Sequence, residues 1–394
     1  MSKSATDLSV FTNDFINLVQ AHYQTTDFIP LHAPCVGQLE KIKLNACIDS
    51  TFVSSVGQFV TDFEEQFVDY TQAKHAVAVV NGTLGLFLAL KTVGVKANDL
   101  VITQSLTFVA TPNAIKMLHA DPLFLDVDKA TYGLSADRLE AFLNDETHQQ
   151  NGECFHTTTG RRISACVPMH TLGFSVEIER IVAICKQHNL KLVEDAAESL
   201  GSFYNGNHTG TFGDIGVFSF NGNKIITTGG GGMLVTNNPD YAERAKHLST
   251  TAKVPHAWLF EHDEVAYNLR MPNLNAALGV AQFEQLNAFL TEKKVLADIY
   301  KQFVAENSNS AGLLSLQNTR NGDANYWLNG FVLNNQMDRD EFLAQTNQAG
   351  IQTRPLWTPM HQLEIYQDAI RTPLPNTEWL AERIVNVPSG VKCQ

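Results

Sequence analysis

Between residues 60 and 250 short apolar runs alternate with segments whose apolar residues recur at helical spacing. HAVAVV (75–80), DLVITQS (99–105), DPLFLDVD (121–128), ISACVPMH (163–170) and LKLVEDAA (190–197) read as strands. The segments from Asn81-Gly82-Thr83 through Leu90, FVATPNAIKMLHA (108–120), SADRLEAFLND (135–145) and EIERIVAICKQHN (177–189) read as helices, with Ser135 as a cap. The polar stretch 145–162, DETHQQNGECFHTTTGRR, reads as a surface loop. Strands that are nearly all apolar, separated by amphipathic helices, predict a parallel sheet covered on both faces. In such sheets ligands bind beyond the carboxyl ends of the strands. Asn81-Gly82-Thr83, His170 and Asp195 all stand at the ends of apolar runs.

Beyond residue 253 the pattern changes. Residues 273–304 keep helical spacing for longer than a typical globular helix, so a bend is expected. A strand at NYWLNGFVL (325–333) follows, then a helix opened by Asp338 and closed by Gly350, then an extended IQTRPLW (351–357). The expectation is an α/β fold in two parts. A large domain, 1–252, carries a mainly parallel sheet and a short N-terminal amphipathic helix built on Val10, Phe11, Phe15, Ile16 and Val19. A smaller α+β domain covers 253–394.

Composition narrows the function. With 28 basic against 41 acidic residues the net charge is −13, which argues against nucleic acid or an anionic membrane as a partner. The first twenty residues carry acids where a signal peptide would have an unbroken apolar core, and no apolar run is long enough to span a bilayer. The six cysteines form no CxxC pair or regular framework, which points to a reducing, cytoplasmic compartment and away from a zinc site.

The chemistry gathers in FGDIGVFSFNGNKIITTGGGGMLVT (212–236). Of the 25 residues between Asp214 and Asp240 only Lys224 is charged. Glycines 229–232 follow it, and glycine runs let the backbone turn sharply and approach a ligand closely. A lysine with so few charged neighbours is a candidate nucleophile toward carbonyls. Asp195 ends a strand 29 positions earlier. Pyridoxal phosphate needs both groups: a lysine that links to its aldehyde, and a carboxylate that keeps the pyridine nitrogen protonated. Its phosphate needs backbone donors and hydroxyls at a helix start, and Gly82, Thr83 and Ser219 answer that need.

With those residues in hand the chain resembles the pyridoxal-phosphate-dependent sugar-nucleotide aminotransferases of the DegT/StrS type, over about Phe28 to Pro388. The likeness is carried by residues 54–90, LTFVATPNAI, VPMHTLG, LVEDAAESLGSFYNG, FSFNGNKIITTGGGGMLVTN and YNLRMPNLNAALG. FIPLHAP, KHLSTTAKVPHAW and TRPLWTPMH look like its LegC branch. The resemblance implies a fold-type-I aminotransferase in which Lys224 is the Schiff-base lysine and acid/base, and Asp195 pairs with the ring nitrogen. It implies that Phe108 lies against the cofactor ring and that Gly82, Thr83 and Ser219 hold its phosphate. It also implies that Glu198 stands beside the ring oxygen and that Asn268 reaches the phosphate from the partner subunit of a homodimer. The implied reaction transfers an amino group from glutamate to C4 of a UDP-linked 4-keto-6-deoxy-2-acetamido sugar, toward bacterial surface sugars. The acid usual in the glycine run after the lysine is missing here.

Further candidates are His170, as a substrate contact or a core histidine, and Arg354 with Trp357 against the sugar nucleotide. Three rivals remain. One is a dehydratase of the same fold, in whose family histidine replaces the lysine. Another is a regulator that keeps the fold without catalysis. A third is a nucleotide-binding dehydrogenase, whose GxGxxG has no match at Asn81-Gly82-Thr83-Leu84-Gly85.

Overall fold

The computed structural model describes residues 3–311 and 314–393. Nine strands of the described residues form the main sheet: β1 (His75–Val79), β2 (Leu100–Gln104), β3 (Asp121–Leu125), β4 (Thr147–Gln150), β5 (Glu153–His156), β6 (Arg162–Val167), β7 (Lys191–Asp195), β10 (Ile215–Ser219) and β11 (Gly232–Thr236). Two-residue strands β8 (Phe203–Tyr204) and β9 (Asn207–His208) lie between them in the chain and make a separate ribbon with β13 (Gly322–Asp323). The main order is β1-β11-β10-β7-β6-β2-β3, and β10, β7, β6, β2 and β3 pair in parallel. β11 runs antiparallel to both β1 and β10. The sheet is therefore mixed, with the parallel core β10-β7-β6-β2-β3 that the apolar runs predict and antiparallel additions at β1, β11, β4 and β5.

Helices cover it. In chain order they are α1 (Lys3–Tyr23), α2 (Gln38–Asp49), α3 (Gln58–Thr71), α4 (Gly82–Thr92), α5 (Ala110–Met117), α6 (Ala136–Asp145), α7 (Ile178–Gln187) and α8 (Pro239–Ser249). Helix α4 is not amphipathic: Leu86, Phe87, Leu88, Ala89 and Leu90 are all buried, because α5, α8 and the sheet enclose it. Ser135 caps α6 as its position predicts, accepting from the Arg138 amide.

The loop expected at 145–162 is instead the β4–β5 hairpin, added antiparallel to β6. Asn151 and Gly152 both have positive φ, the geometry of a two-residue hairpin turn that Asn-Gly favours. Alternate side chains Cys154 and His156 are buried beneath it.

Toward the C-terminus come α9 (Asn273–Glu284), α10 (Leu286–Ala311), α11 (Gln336–Gln348) and α12 (Pro375–Ala381). The expected bend in the long helical pattern falls at Gln285, between α9 and α10. Gln285 and Gln282 there both donate to the buried Glu40 carboxylate of α2, each at 2.6 Å. Helix α11 is capped by Asn335, whose side chain accepts from the Asp338 amide, so it begins two residues before Asp338. A second antiparallel sheet has the order β12 (Leu314–Ser315), β14 (Asn329–Val332), β16 (Ile384–Val387) and β15 (Arg354–Pro355). Phe11, Phe15 and Val19 of α1 are buried against Tyr300, Phe303, Phe331 and Phe342, so the N-terminal helix packs on this second sheet and its helices. The centroids of Phe15 and Phe331 are 5.3 Å apart in an edge-on contact. Within the described residues no helix is long and apolar enough to cross a membrane. The sulfurs of Cys35 and Cys393 are paired, with Cα atoms 5.3 Å apart. Their separation of 358 residues left no spacing pattern to read.

Candidate active site

The ends of β1, β7 and β10, together with the turn after β2, surround a cavity of about 310 Å³. Asp195 is the last residue of β7 and Ser219 the last of β10. Helix α4 points its first turn at the same space. Asn81 caps it by accepting from the Leu84 amide, leaving the amides of Gly82 and Thr83 at the open end. A Cβ at residue 82 would lie 2.8 Å from Cβ of Ser219, so only glycine brings the helix start this close to β10. The hydroxyls of Thr83 and Ser219 both line the cavity and make no hydrogen bond among the described residues.

Lys224 lies in the loop between β10 and β11, its side chain 13% exposed. Its Nζ stands 3.3 Å from Oε1 of Glu198 and 3.9 Å from the centroid of the Trp327 ring. Asp195, 2% exposed, accepts from the Thr111 hydroxyl at 2.6 Å and from the Ala197 amide at 3.2 Å. Burial pushes its pKa above the ordinary carboxylate value, while these donors and the charge of Lys224 pull against that shift. Burial also raises Glu198, opposed by Lys224 and by the Leu172 amide, which donates to Oε2 at 2.8 Å. Two carboxyls and one amine thus share a nearly dry space. A cationic ring nitrogen set against Asp195 would offset part of the cost of burying its charge.

The cavity gathers Gly82, Thr83, Phe108, Asp195, Glu198, Ser219, Lys224 and Trp357. Phe108 and Trp357 meet edge to face at 6.2 Å on one wall. Three further candidates do not line it, among them Asn268, which is expected at the partner's cavity, and His170, which takes its other reading as a core histidine. His170 is fully buried behind Asp195, its Nε2 3.0 Å from Glu194. Arg354 is exposed on β15 and does not line the cavity. Asn268 is exposed away from this chain's cavity and accepts from Nε of Arg270 at 2.9 Å. Sequence reading missed Trp327, whose indole N–H donates to the Asn223 carbonyl at 2.6 Å. A tryptophan opening an apolar strand gave no sign of a place 103 positions from its lysine.

The donor set fits pyridoxal phosphate: open amides and free hydroxyls at a helix start for an anion, a buried carboxylate for a ring nitrogen, and an amine between them.

Residues 34–394 match the model of the DegT/DnrJ/EryC1/StrS aminotransferase family. The chain belongs to this family. It is 36% identical to the GDP-perosamine synthase of Escherichia coli O157:H7 over 362 residues, covering 92% of this chain and 93% of that one. Against the GDP-perosamine synthase of Vibrio cholerae the identity is 34% over 366 residues, covering 92% and 94%. Among solved structures, the aminotransferase TlmJ from Streptoalloteichus hindustanus superposes with a TM-score of 0.82 at 27% identity, covering 92% of this chain and 93% of that one. This DegT/DnrJ/EryC1/StrS chain is thus a sugar-nucleotide aminotransferase dependent on pyridoxal phosphate. Its main sheet and helices have the fold-type-I arrangement that the resemblance implied.

Proposed function

We propose that this enzyme moves an amino group from glutamate to the C4 keto group of a nucleotide-linked 4-keto-6-deoxy sugar. The observation that carries the reading is one cavity holding the Lys224 amine, the buried Asp195 carboxylate and the open start of α4. When bound, the cofactor supplies an aldehyde that exchanges amines and a ring that takes up the electron pair of a broken C–H bond. Asp195 holds a negative charge where the ring nitrogen would be cationic. Gly82, Thr83 and Ser219 hold the phosphate. Lys224, once its amine is free, would carry the proton from the donor carbon to the cofactor carbon that bears the exchanging nitrogen, and in the second half-reaction from that carbon to C4 of the sugar. Phe108 and Trp357 give the cavity an aromatic wall, suited to a cofactor ring and the apolar face of a deoxy sugar. The two half-reactions predict ping-pong kinetics.

The resemblance of FIPLHAP, KHLSTTAKVPHAW and TRPLWTPMH to the LegC branch favours a UDP-linked 2-acetamido sugar and a route to bacterial surface sugars. The names of the two GDP-perosamine synthases favour a GDP-linked one. Incubation with glutamate and a panel of UDP-, GDP- and CMP-linked keto sugars, following 2-oxoglutarate, decides between them. Full turnover by Lys224→Ala would sink the whole assignment. The reading includes a homodimer in which Asn268 serves the partner's cavity, consistent with its exposure here. It also includes a cytoplasmic location, which the four unpaired, buried cysteines favour and the paired Cys35 and Cys393 oppose.

A further inference from the structure

The reaction leaves Lys224 unlinked for part of each cycle. A lysine on a flexible four-carbon stem would then sample the whole cavity unless something held it. We infer that Trp327 and Glu198, locked to each other by Asn325, form a berth that holds Lys224 in its protonated form while that amine is not covalently engaged. The inference rests on Lys224 being the reacting amine.

The two walls of the berth come from distant parts of the chain. Glu198 follows β7, and its carboxylate is 3.3 Å from Nζ. Trp327 precedes β14 and sets the face of its indole 3.9 Å from the same nitrogen. An ammonium over an indole face is the best of the cation–π pairings, and burial strengthens it. Trp327 is 4% exposed and Glu198 2%, so both contacts are made out of bulk water.

Asn325 is what makes the two walls one object. Its side chain is buried, and its Nδ2 donates to the carbonyls of Glu198 at 2.8 Å and Leu200 at 2.9 Å. Its Oδ1 accepts from the backbone amide of Trp327 at 2.8 Å. Both N–H groups of the amide and its carbonyl oxygen are used to join the Glu198 turn to Trp327. Space is reserved for it: a Cβ on Gly173 would fall 1.9 Å from Oδ1 of Asn325, and φ at Gly173 is +95°. A third tie fixes the ring against the lysine's own loop, through the indole N–H on the Asn223 carbonyl. A packing role for Trp327 would need none of this. It would not place the ring face, rather than an edge, at Nζ.

The test reads the amine itself. Protein charged with pyridoxamine phosphate, which leaves Lys224 free, is exposed to a short pulse of sulfosuccinimidyl acetate. Acetylation of Lys224 is then measured by mass spectrometry against the exposed Lys96. Removing the berth frees the amine, so Trp327→Leu should raise the relative labelling by roughly threefold to tenfold. Trp327→Phe keeps an aromatic face and should stay nearer wild type. Glu198→Gln keeps the shape, loses the charge and should raise labelling like Trp327→Leu. Asn325→Ala should do the same without touching Lys224. Labelling unchanged in Trp327→Leu and Glu198→Gln would overturn the berth, as would equal increases in Trp327→Leu and Trp327→Phe. If Trp327→Leu does not fold, Glu198→Gln carries the test by itself. A protein that fails to take up the cofactor, seen in its absorbance, would count against the proposed function instead. The labelling comparison on that protein would still read the berth.

Discussion

Cβ of Ser219 lies where a Cβ on Gly82 would come within 2.8 Å, and this contact brings the start of α4 against the end of β10. Two segments more than 130 positions apart thereby share one anion cradle. Gly82→Ala should push them apart and weaken cofactor binding by about tenfold or more, with the fold retained. Titration of pyridoxal phosphate by absorbance checks this. An unchanged affinity would mean that the cradle holds something other than the phosphate.

Asp195→Asn keeps an oxygen to accept from Thr111 but removes the charge. The rate of amino transfer from glutamate should fall on the order of 10²–10³-fold, a magnitude typical of losing one electrostatic partner of the reacting system. Rapid mixing with glutamate isolates that half-reaction. A loss of less than tenfold would show that the ring nitrogen does not depend on this carboxylate.

The segment after Trp357 is tied to the end of β2. His361 Nδ1 and Oγ of Ser105 are 2.8 Å apart, and the Met360 amide donates to the Ser105 carbonyl at 2.9 Å. Burial lowers the pKa of His361, with Glu378 opposing. Loosening this tie should let Trp357 drift from Phe108. His361→Ala is expected to raise KM for the keto sugar roughly threefold to tenfold, the worth of one buried hydrogen bond, and to leave cofactor affinity alone. Steady-state kinetics beside a cofactor titration separates the two. Equal losses in both would point to general unfolding.

Asn268 can act only on a neighbouring molecule's cavity if the dimer reading holds. Lys224→Ala and Asn268→Ala should then each be nearly inactive. Mixed and re-equilibrated, they should regain about a quarter of wild-type activity, because half the dimers are mixed and one of their two sites is intact. Activity that stays at the level of the parents would place Asn268 outside the site.

Lys293 of α10 is 1% exposed and donates to the carbonyls of Trp327 at 3.2 Å and Ser389 at 2.6 Å, with no acid paired to it among the described residues. Burial lowers its pKa from 10.5 to about 7. In the unfolded chain the amine keeps its proton up to the higher value. Between the two pH values the unfolded state therefore holds more protons, so the native state gains stability as pH rises through that window. Relative to Lys293→Met, wild-type stability should climb by up to about 1.4 kcal/mol per pH unit above neutrality. Melting curves of both proteins at several pH values between neutral and 10 test the sign. A difference that does not vary with pH would mean that the amine stays charged in the fold.

The alternation of strands and helices, the candidacy of Lys224 and Asp195, and the helix start at Asn81-Gly82-Thr83 were legible in the chain. Each depends on neighbours close in sequence: apolar periodicity, a charge-free stretch, Asn-Gly-Thr before a helix. Residues 145–162 misled because their polar composition masked the Asn-Gly turn that makes them a hairpin. Packing alone placed His170 behind Asp195 rather than in the cavity, since a strand's end does not say which way a ring turns. Packing also brought Trp327 to Lys224 and Cys35 to Cys393. Those meetings join segments far apart in the chain, and no local pattern records which distant surfaces close over one another.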